Sequence, residues 1–273
     1  MGNAGFTCIL FRQMIGGRLV FLLIQPYQYD LYAGLLEQSF RLRKRVFHDC
    51  LGWRVDVRHG LERDAYDGLG AVYLVWCDED GHHLYGAVRL MPTTGPTLLH
   101  DVFSRTLAGK DLVSLIAWEG TRMCLDIDLL RASQPALSPS RAFGLLLLAL
   151  FECSFAHGIK TLVSNYEPPM ERVYRRAGLR VKEIGRADGY GRLPVCCGVF
   201  TVSAETLQQM RTVLRVAQPL YSRILPDRTE ATDWQTPRSS DPIKPLRRTK
   251  NFWTCNAARS QTCRSTAGRK DLR

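Results

Sequence analysis

The chain has 273 residues, of which 45% are hydrophobic and 23% are charged, so it can bury a core and is neither wholly disordered nor collagen-like. Its formal net charge of +11 first suggests a polyanionic partner, such as nucleic acid or an anionic membrane. The excess lies mostly at the ends, because residues 222–273 carry +7, residues 1–25 carry +2 and residues 26–221 carry only +2. The part that can fold is nearly neutral, and no nucleic-acid partner is expected for it.

The same division predicts the domain organisation. Residues 26–221 form a single folded domain, preceded by an N-terminal extension over residues 1–25. Residues 222–273 form a basic tail rich in Pro, Ser, Thr, Arg and Lys, whose aromatic residues show no period, and we expect this tail to be disordered. A basic-tailed nucleic-acid-binding module is the alternative from a different class of protein.

Membrane spans and metal sites are not expected. The longest apolar run, Ala142–Phe151, has ten residues, whereas a bilayer span needs about 20. Arg18 interrupts the apolar stretch near the N-terminus, so we predict neither a signal peptide nor stable membrane insertion. The nine cysteines contain no C-x-x-C pair and the six histidines show no metal spacing. We therefore expect buried reduced thiols, no metal and a cytoplasmic location.

The elements predicted along the chain alternate between helix and strand. In order they are an amphipathic helix over Tyr29–Phe47, strands over Ala71–Cys77, Leu84–Met91 and Ile116–Leu125, a buried helix that Ser138 caps and that runs to Ala156, a strand over Lys160–Asn165, a short helix over Met170–Ala177, strands over Leu179–Ile184 and Val195–Val202, and a last helix over Ala204–Val213. This alternation predicts one α/β domain with a mixed central sheet and helices on both faces.

Charged side chains interrupt otherwise apolar segments in the first half of this domain. Three arginines and three carboxylates share this property: Arg43, Arg89, Arg122, Asp64, Asp67 and Glu119. A buried charge is costly unless it is paired, so we expect these groups to balance one another in one cleft. Their spacing is compatible with a purely structural ion network and equally with a site that binds a zwitterionic or charged ligand.

These residues belong to motifs that follow one another in order. The motifs are Arg43-x-x-x-Phe47, Leu51-Gly52-Trp53, Glu62-Arg63-Asp64-Ala65-Tyr66-Asp67, Tyr85-Gly86-Ala87-Val88-Arg89-Leu90-Met91-Pro92 and Trp118-Glu119-Gly120-Thr121-Arg122-Met123-Cys124. In this combination the chain, from about Phe21 to Tyr221, resembles the acyl-homoserine-lactone synthases, the autoinducer synthases of bacterial quorum sensing. The resemblance implies a fold like that of the N-acetyltransferases.

The resemblance also implies a reaction. Members of this family are acyltransferases that make N-acyl-homoserine lactones from S-adenosylmethionine and a fatty acyl thioester of acyl carrier protein or, in some members, coenzyme A. The methionine amine attacks the thioester to form an amide, and the carboxylate then closes the lactone and displaces methylthioadenosine. S-adenosylmethionine is a substrate here, and no cofactor is implied. The alternative is a coenzyme A-dependent N-acyl- or N-acetyltransferase that does not lactonise, although residues 137–142 lack the glycine-rich pyrophosphate loop of ordinary acetyltransferases.

The residue types at these positions suit the two steps. Glu119 is the first choice for the base that takes a proton from the ammonium, Asp64 is the alternative, and Arg122 is placed with them as a catalytic residue. Aromatic faces and carboxylates suit the sulfonium, and arginines suit the substrate carboxylate. The expected S-adenosylmethionine-binding residues are Arg43, Phe47, Trp53, Asp64, Asp67, Arg89 and Arg122. Core packing and ordering salt bridges remain the structural alternatives for these side chains.

Two further sets of residues suit the acyl donor. The expected walls of an apolar acyl tunnel are Phe143, Leu146, Leu147, Leu150 and Val163. Family members that prefer 3-oxo chains tend to carry threonine near the end of the following strand, where this chain has Ser164-Asn165, so a 3-oxo preference is not expected. The cations expected to dock an acidic acyl carrier protein are Arg172, Arg175, Arg176 and Arg180. A solvated helix end is the alternative for these cations.

Overall fold

A computed structural model of the chain describes residues 20–191 and 193–222. The predicted disorder of the basic tail lies outside the described residues, apart from its first residue, and so does most of the predicted N-terminal extension.

A seven-stranded mixed sheet forms the centre of the fold. In chain order the strands are β1 (Val20–Ile24), β2 (Val57–Arg58), β3 (Leu61–Glu62), β4 (Val72–Cys77), β5 (Leu84–Pro92), β6 (Ala117–Leu125), β7 (Thr161–Tyr166), β8 (Lys182–Ala187) and β9 (Val195–Thr201). The helices are α1 (Ala33–Arg43), α2 (Leu98–Asp101), α3 (Ile127–Ser133), α4 (Pro139–Ala156), α5 (Met170–Arg176) and α6 (Ala204–Leu214). The sheet order is β1-β4-β5-β6-β7-β9-β8, and β2 and β3 form a separate hairpin.

Helices cover both faces of the sheet, as predicted. Successive side chains of a strand point to opposite faces, and in β4 Leu74 and Trp76 join the core under α4 to α6, whereas Tyr73 and Val75 join the core under α1. The single α/β domain with a mixed central sheet is therefore confirmed.

Helix α4 is the central helix of the larger core. Ser138 begins it, because its side-chain oxygen accepts a hydrogen bond from the Arg141 N–H at 3.3 Å, and Pro139 occupies the first turn. The helix is long and apolar enough to cross a membrane by length and composition, but 67% of it is buried inside this fold. Its apolar composition is accounted for by that burial.

The N-terminal boundary of the domain needs correction. Strand β1 pairs antiparallel with β4 from Val20 opposite Cys77 to Ile24 opposite Tyr73. The predicted extension over residues 1–25 therefore overlaps the sheet at its C-terminal end. The stretch is uniformly apolar, so it lacks the alternation with polar residues by which a half-buried strand is recognised.

The parallel pair β6 and β7 separates soon after it starts. The two strands are in register from Ala117 opposite Thr161 to Glu119 opposite Val163, and no backbone pairing continues beyond that point. One side-chain hydrogen bond joins the two strands where they begin to separate: Ser164 Oγ on β7 donates to the Gly120 carbonyl on β6 at 3.0 Å. The gap opens a cleft in the middle of the sheet.

Strand β8 lies later than the predicted Leu179–Ile184. Helix α5 ends in a glycine motif in which Gly178, with φ of +81°, donates to the Arg175 carbonyl and Leu179 donates to the Tyr174 carbonyl. Leu179 is consequently held against the core as the hydrophobic contact of the helix end. Leu179, which the sequence analysis placed at the start of a strand, therefore belongs to the C-terminal cap of α5.

Cys77, Cys153, Cys196 and Cys197 are buried free thiols. Burial raises the pKa of Cys77 to about 11 and the pKa of Cys153 to about 12. These two side chains are therefore protonated and unreactive at neutral pH.

Candidate active site

Arg43 holds two acids at the end of α1. Its Nη1 and Nη2 donate to the two carboxylate oxygens of Asp67 at 2.8 and 2.9 Å, and its Nε donates to Glu62. Asp67 also accepts from the Tyr73 hydroxyl at 2.7 Å. This bidentate geometry ties the helix to the hairpin and to the sheet.

Arg89 and Arg122 complete the cluster from neighbouring strands. Arg89 on β5 donates to Asp67 Oδ1 at 2.8 Å and to Asp64 Oδ2 at 3.0 Å, and its Nε donates to Thr121 Oγ1 at 3.0 Å. Arg122 on β6 donates to Asp64 Oδ2 at 2.9 Å and to Glu62 Oε1 at 3.2 Å. We define the Arg–carboxylate network as these three arginines with their three acids: Arg43, Arg89, Arg122, Glu62, Asp64 and Asp67.

The network is buried and formally neutral. None of its side chains is more than 10% exposed. Burial alone would raise the pKa of Asp64, but Arg122 and Arg89 hold it below its ordinary value. Burial opposes ionisation of Asp67 in the same way, and Arg43 more than compensates, so the pKa of Asp67 lies far below its usual range. Both aspartates are fixed as anions and are poorly suited to exchange protons.

One acid of the network was not among the sequence-predicted site residues. We expected Glu119 to balance the third arginine, but the structure uses Glu62, which Arg43 and Arg122 hold from opposite sides. In the sequence Glu62 begins the polar run Glu62-Arg63-Asp64, which is typical of a solvated loop. The available signal is its two-residue spacing from Asp64, which directs both carboxylates to one side of an extended chain.

Arg122 has an unusual backbone. Its φ is +55°, a left-handed conformation that side chains other than glycine rarely adopt. The pairing of β5 with β6 shifts register here, between Ala87 opposite Cys124 and Arg89 opposite Thr121. The extra residue in β6 forms a bulge that turns the Arg122 guanidinium toward Glu62 and Asp64.

Glu119 lies beside the network but outside it. The carboxylate is 1% exposed, and neither oxygen has a partner at full hydrogen-bond geometry among the described residues. Burial raises its pKa to about 8, while Arg89 and the nearby backbone N–H groups of Leu98 and Leu99 act in the opposite direction. In the substrate-free protein this is a protonated acid that a new positive charge would ionise.

The gap between β6 and β7 contains a cleft that encloses about 900 Å³ including its mouth. Glu119 and Arg122 lie on its wall together with Phe47. The remaining lining is mainly apolar and comes from α4, β7, α5 and β9: Phe143, Leu147, Leu150, Phe151, Leu162, Val163, Met170, Tyr174 and Phe200. The ionisable Glu119 and Arg122 therefore lie on β6. The part lined by α4, β7, α5 and β9, which we call the apolar end, suits an alkyl chain, and Glu167 just after β7 also belongs to the lining.

The two predicted aromatic residues form one stack. The rings of Phe47 and Trp53 lie 4.7 Å apart and within 10° of parallel. Phe47 lines the cleft and also faces the Arg122 guanidinium at 5.7 Å, whereas Trp53 lies behind Phe47 and is not part of the lining. The helix widens to a π-helical turn over Lys44–Cys50, and Phe47 is the buried residue of this turn.

Four of the five predicted tunnel residues line the cleft: Phe143, Leu147, Leu150 and Val163. Leu146 is not part of this lining, although it lies on the same side of α4. It packs toward β5, where a Cβ added to Gly86 would lie 3.3 Å from Leu146 Cδ2.

The predicted docking cations are exposed on and just after α5. Arg172, Arg175 and Arg176 surround a shallow open depression. Met170 and Tyr174 of the same helix line the cleft. The cations therefore lie at the surface next to the apolar end of the candidate site.

Comparisons with known proteins show the family of the chain. The sequence model of the family described as autoinducer synthase matches residues 27–210. The chain belongs to that family. Among its relatives, the acyl-homoserine-lactone synthase of Rhizobium etli is 37% identical over 199 residues, which are 70% of this chain and 90% of that protein. The acyl-homoserine-lactone synthase of Agrobacterium fabrum is 32% identical over 196 residues, covering 69% of this chain and 89% of that protein.

Solved structures of family members share the fold. The coenzyme A-dependent acyl-homoserine lactone synthase MesI is 26% identical with a TM-score of 0.63, over 73% of this chain and 97% of that one. The acyl-homoserine-lactone synthase LasI is 25% identical with a TM-score of 0.62, over 77% of this chain and 100% of that one. The predicted α/β fold with a mixed central sheet and the family resemblance are both confirmed.

Proposed function

We propose that this family member makes N-acyl-homoserine lactones from S-adenosylmethionine and a fatty acyl thioester. The observation that carries the proposal is the cleft between β6 and β7, which joins an apolar channel to a buried, unpaired carboxylate beside three arginines. Amide formation needs a base and a place for an acyl chain, and lactone closure needs a cationic substrate held in one conformation.

Glu119 is the proposed base. The ammonium and sulfonium of S-adenosylmethionine bring positive charge to a carboxyl whose pKa is about 8 when the site is empty, so binding favours its ionised form. Glu119 then takes one proton from the ammonium, and the amine attacks the thioester carbon. The new C–N bond forms as the C–S bond breaks, and the departing thiolate takes up a proton. Asp64, the alternative base, is held as a salt-bridged anion and is a weaker candidate.

The Arg–carboxylate network is the proposed floor of the S-adenosylmethionine site. Arg122 reaches the cleft and can orient the methionyl carboxylate, while Phe47 offers its ring to the sulfonium. The other members of the network hold Arg122 in position: Arg43, Arg89, Glu62, Asp64 and Asp67. Trp53 lies outside the network and holds the Phe47 ring by stacking on it. In the second step the carboxylate oxygen attacks the γ-carbon, and the γ-carbon–sulfur bond breaks with release of neutral methylthioadenosine. S-adenosylmethionine is consumed, and no cofactor takes part.

Mass spectrometry of the purified protein incubated with S-adenosylmethionine and an acyl thioester tests the proposal. We expect equal amounts of N-acyl-homoserine lactone and methylthioadenosine. An N-acyl product without methylthioadenosine would instead identify a transferase that does not lactonise. No product with any acyl donor would refute both readings.

We further propose acyl carrier protein as the donor, with docking on Arg172, Arg175, Arg176 and Arg180. Exposed cations beside the cleft complement an acidic carrier. Reversing two of them, in Arg172→Glu/Arg175→Glu, should lower kcat/KM with acyl carrier protein about tenfold at low salt and leave acyl-coenzyme A turnover unchanged. Arg131→Glu on α3 is the matched control, because Arg131 is equally an exposed helix cation. Equal losses with both donors would contradict the docking assignment.

A cytoplasmic location follows from the same substrates. S-adenosylmethionine and acyl thioesters are cytoplasmic metabolites, and the buried thiols of Cys77, Cys153, Cys196 and Cys197 form no disulfide, as expected in a reducing compartment. Fractionation of expressing cells, with a cytoplasmic and a periplasmic marker enzyme, checks this assignment.

A further inference from the structure

An unpaired acceptor lies on the cleft wall in addition to Glu119. Asn165 of β7 lines the cleft, and its Oδ1 is buried without a hydrogen-bond partner. A buried carbonyl oxygen that is left unpaired normally costs free energy, so such atoms are rare in folded proteins. Its position in the cleft makes this oxygen available to a hydrogen-bond donor of a bound ligand.

The orientation of the Asn165 amide is fixed by its neighbours. The Thr106 hydroxyl donates its single hydrogen to the Phe103 carbonyl at 2.7 Å. Thr106 Oγ1 can then only accept, and the Asn165 atom that lies 2.9 Å from it must be the donating Nδ2. The Oδ1 cannot exchange places with Nδ2 without setting two acceptors against each other.

The position of Asn165 along β7 places it near the reacting groups. Val163 is opposite Glu119 in the sheet register, and Asn165 is the next residue on the same side of β7. Two residues of a strand span about 6.6 Å. This part of β7 lies beyond the last paired residue, where the strands have separated. A thioester whose carbonyl carbon meets an amine beside Glu119 must pass its neighbouring atoms close to Asn165.

We propose that Asn165 Oδ1 accepts a hydrogen bond from a donor group of the acyl thioester that lies within a few atoms of the reacting carbon. Two donors have this chemistry, namely the nearest amide N–H of the pantetheine arm and a hydroxyl on the third carbon of the acyl chain. The proposal rests on the proposed acyl-thioester function and names Asn165 as a residue that determines donor affinity and specificity. Ser164, on the other face of β7, is occupied by its bond to Gly120.

Steady-state kinetics of Asn165→Leu tests this contact, because leucine keeps the size and removes the acceptor. With saturating S-adenosylmethionine, KM for the acyl thioester should rise roughly threefold to tenfold, as expected for one lost neutral hydrogen bond. KM for S-adenosylmethionine should not change. Ser39→Ala is the matched control, because Ser39 Oγ is also buried and unpaired but lies in α1 outside the cleft. Thr106→Val releases the amide and also removes the hydroxyl that donates to the Phe103 carbonyl. It should give a smaller rise in this KM and add nothing in the Asn165→Leu background.

The probes distinguish the two donors. Octanoyl-coenzyme A, 3-hydroxyoctanoyl-coenzyme A, S-octanoyl-N-acetylcysteamine and the ester analogue of the last, which lacks the N–H, are compared. If Asn165→Leu raises KM equally for both coenzyme A thioesters and no longer distinguishes S-octanoyl-N-acetylcysteamine from its ester analogue, the donor is the pantetheine amide. If KM rises only for the 3-hydroxyacyl thioester, the donor is the hydroxyl.

Unchanged KM values for every probe, or an equal rise in Ser39→Ala, would overturn the proposal. Calorimetric binding of octanoyl-coenzyme A to wild type and Asn165→Leu separates this result from a failure of the proposed function. If the wild type binds the thioester but releases no methylthioadenosine, the lactone-forming activity is refuted, and the binding difference still decides the role of Asn165. Should Asn165→Leu not fold, the same measurements on Thr106→Val decide it, because an unchanged affinity in that variant contradicts the fixed amide.

Discussion

Glu62 and Glu119 are both buried glutamates, but the regions around them differ in the partners that they offer to the carboxylate. Glu62 is held by Arg43 and Arg122, so its charge is matched inside the protein. Glu119 has no full hydrogen bond among the described residues, and burial raises its pKa to about 8. The arginines of the network thus bind the three acids that hold the site together. Glu119, the acid proposed to exchange a proton, forms no salt bridge with them.

Glu119→Gln tests the reactive side of this comparison and should have the largest effect. The amide has the same shape but cannot take a proton, so methylthioadenosine release should fall about 10²- to 10⁴-fold. Folding should be unimpaired, because a neutral side chain replaces a carboxyl that already favours its neutral form. Activity assays and thermal unfolding of the same preparation check both statements. Retained activity would remove Glu119 from the role of base.

Glu62→Gln tests the structural side. This change leaves Arg43 with Asp67 and Arg122 with Asp64 but replaces their shared carboxylate by a neutral amide. One buried positive charge is then unmatched, so we expect a loss of about 3 kcal/mol in the free energy of unfolding. Urea unfolding measures this loss against Glu37→Gln, which removes an exposed acid paired with Arg41. Similar stabilities for the two variants would show that Glu62 is not needed to balance the arginines.

The free energy of unfolding should change with pH in opposite directions for Glu119 and for the aspartates of the Arg–carboxylate network. The pKa of Glu119 in the folded protein, about 8, lies above the ordinary value of 4.5, so the free energy of unfolding should decrease as pH rises between these values, by about 3 kcal/mol at pH 7. The pKa values of Asp64 and Asp67 are lowered, so their contribution is present at neutral pH and is lost as pH falls below about 4.

Chemical unfolding of wild type and Glu119→Gln across pH 4.5 to 8 isolates the first contribution. The decline should be absent in the variant. An identical decline in both proteins would mean that Glu119 is not its source.

Thr121→Val should have the smallest effect. It removes the acceptor of Arg89 Nε and leaves the two aspartates of that arginine in place. A hydrogen bond to a charged group contributes about 1.5 to 3 kcal/mol, which unfolding by urea would detect. Thr161→Val, a β-strand threonine outside the network, serves as the control, and equal losses would show that the network does not depend on Thr121.

The sequence predicted most of the fold because its strands and its long helix carry clear periodic patterns. It missed β1, which is apolar throughout, and displaced β8, because Leu179 caps α5 through a contact that periodicity does not register. The short helices α2 and α3 have too few residues for a helical period.

The candidate site was predictable in its members but not in its pairing. The motifs brought the arginines and acids together, yet only the three-dimensional arrangement shows that Glu62 binds Arg43 and Arg122 while Glu119 stays apart. Leu146 is absent from the cleft lining and packs toward β5, a difference that its apolar character does not reveal. Asn165 could not be found from sequence, since its significance depends on the hydrogen that Thr106 gives to Phe103.

The left-handed backbone of Arg122 changes how its variants must be interpreted. For an L-residue this conformation costs about 1 kcal/mol or more, and glycine would avoid that cost. Both Arg122→Gly and Arg122→Ala remove the guanidinium, but only glycine adopts the positive φ without a conformational cost. The difference in unfolding free energy between the two variants therefore reports the cost of the left-handed backbone that positions the Arg122 side chain.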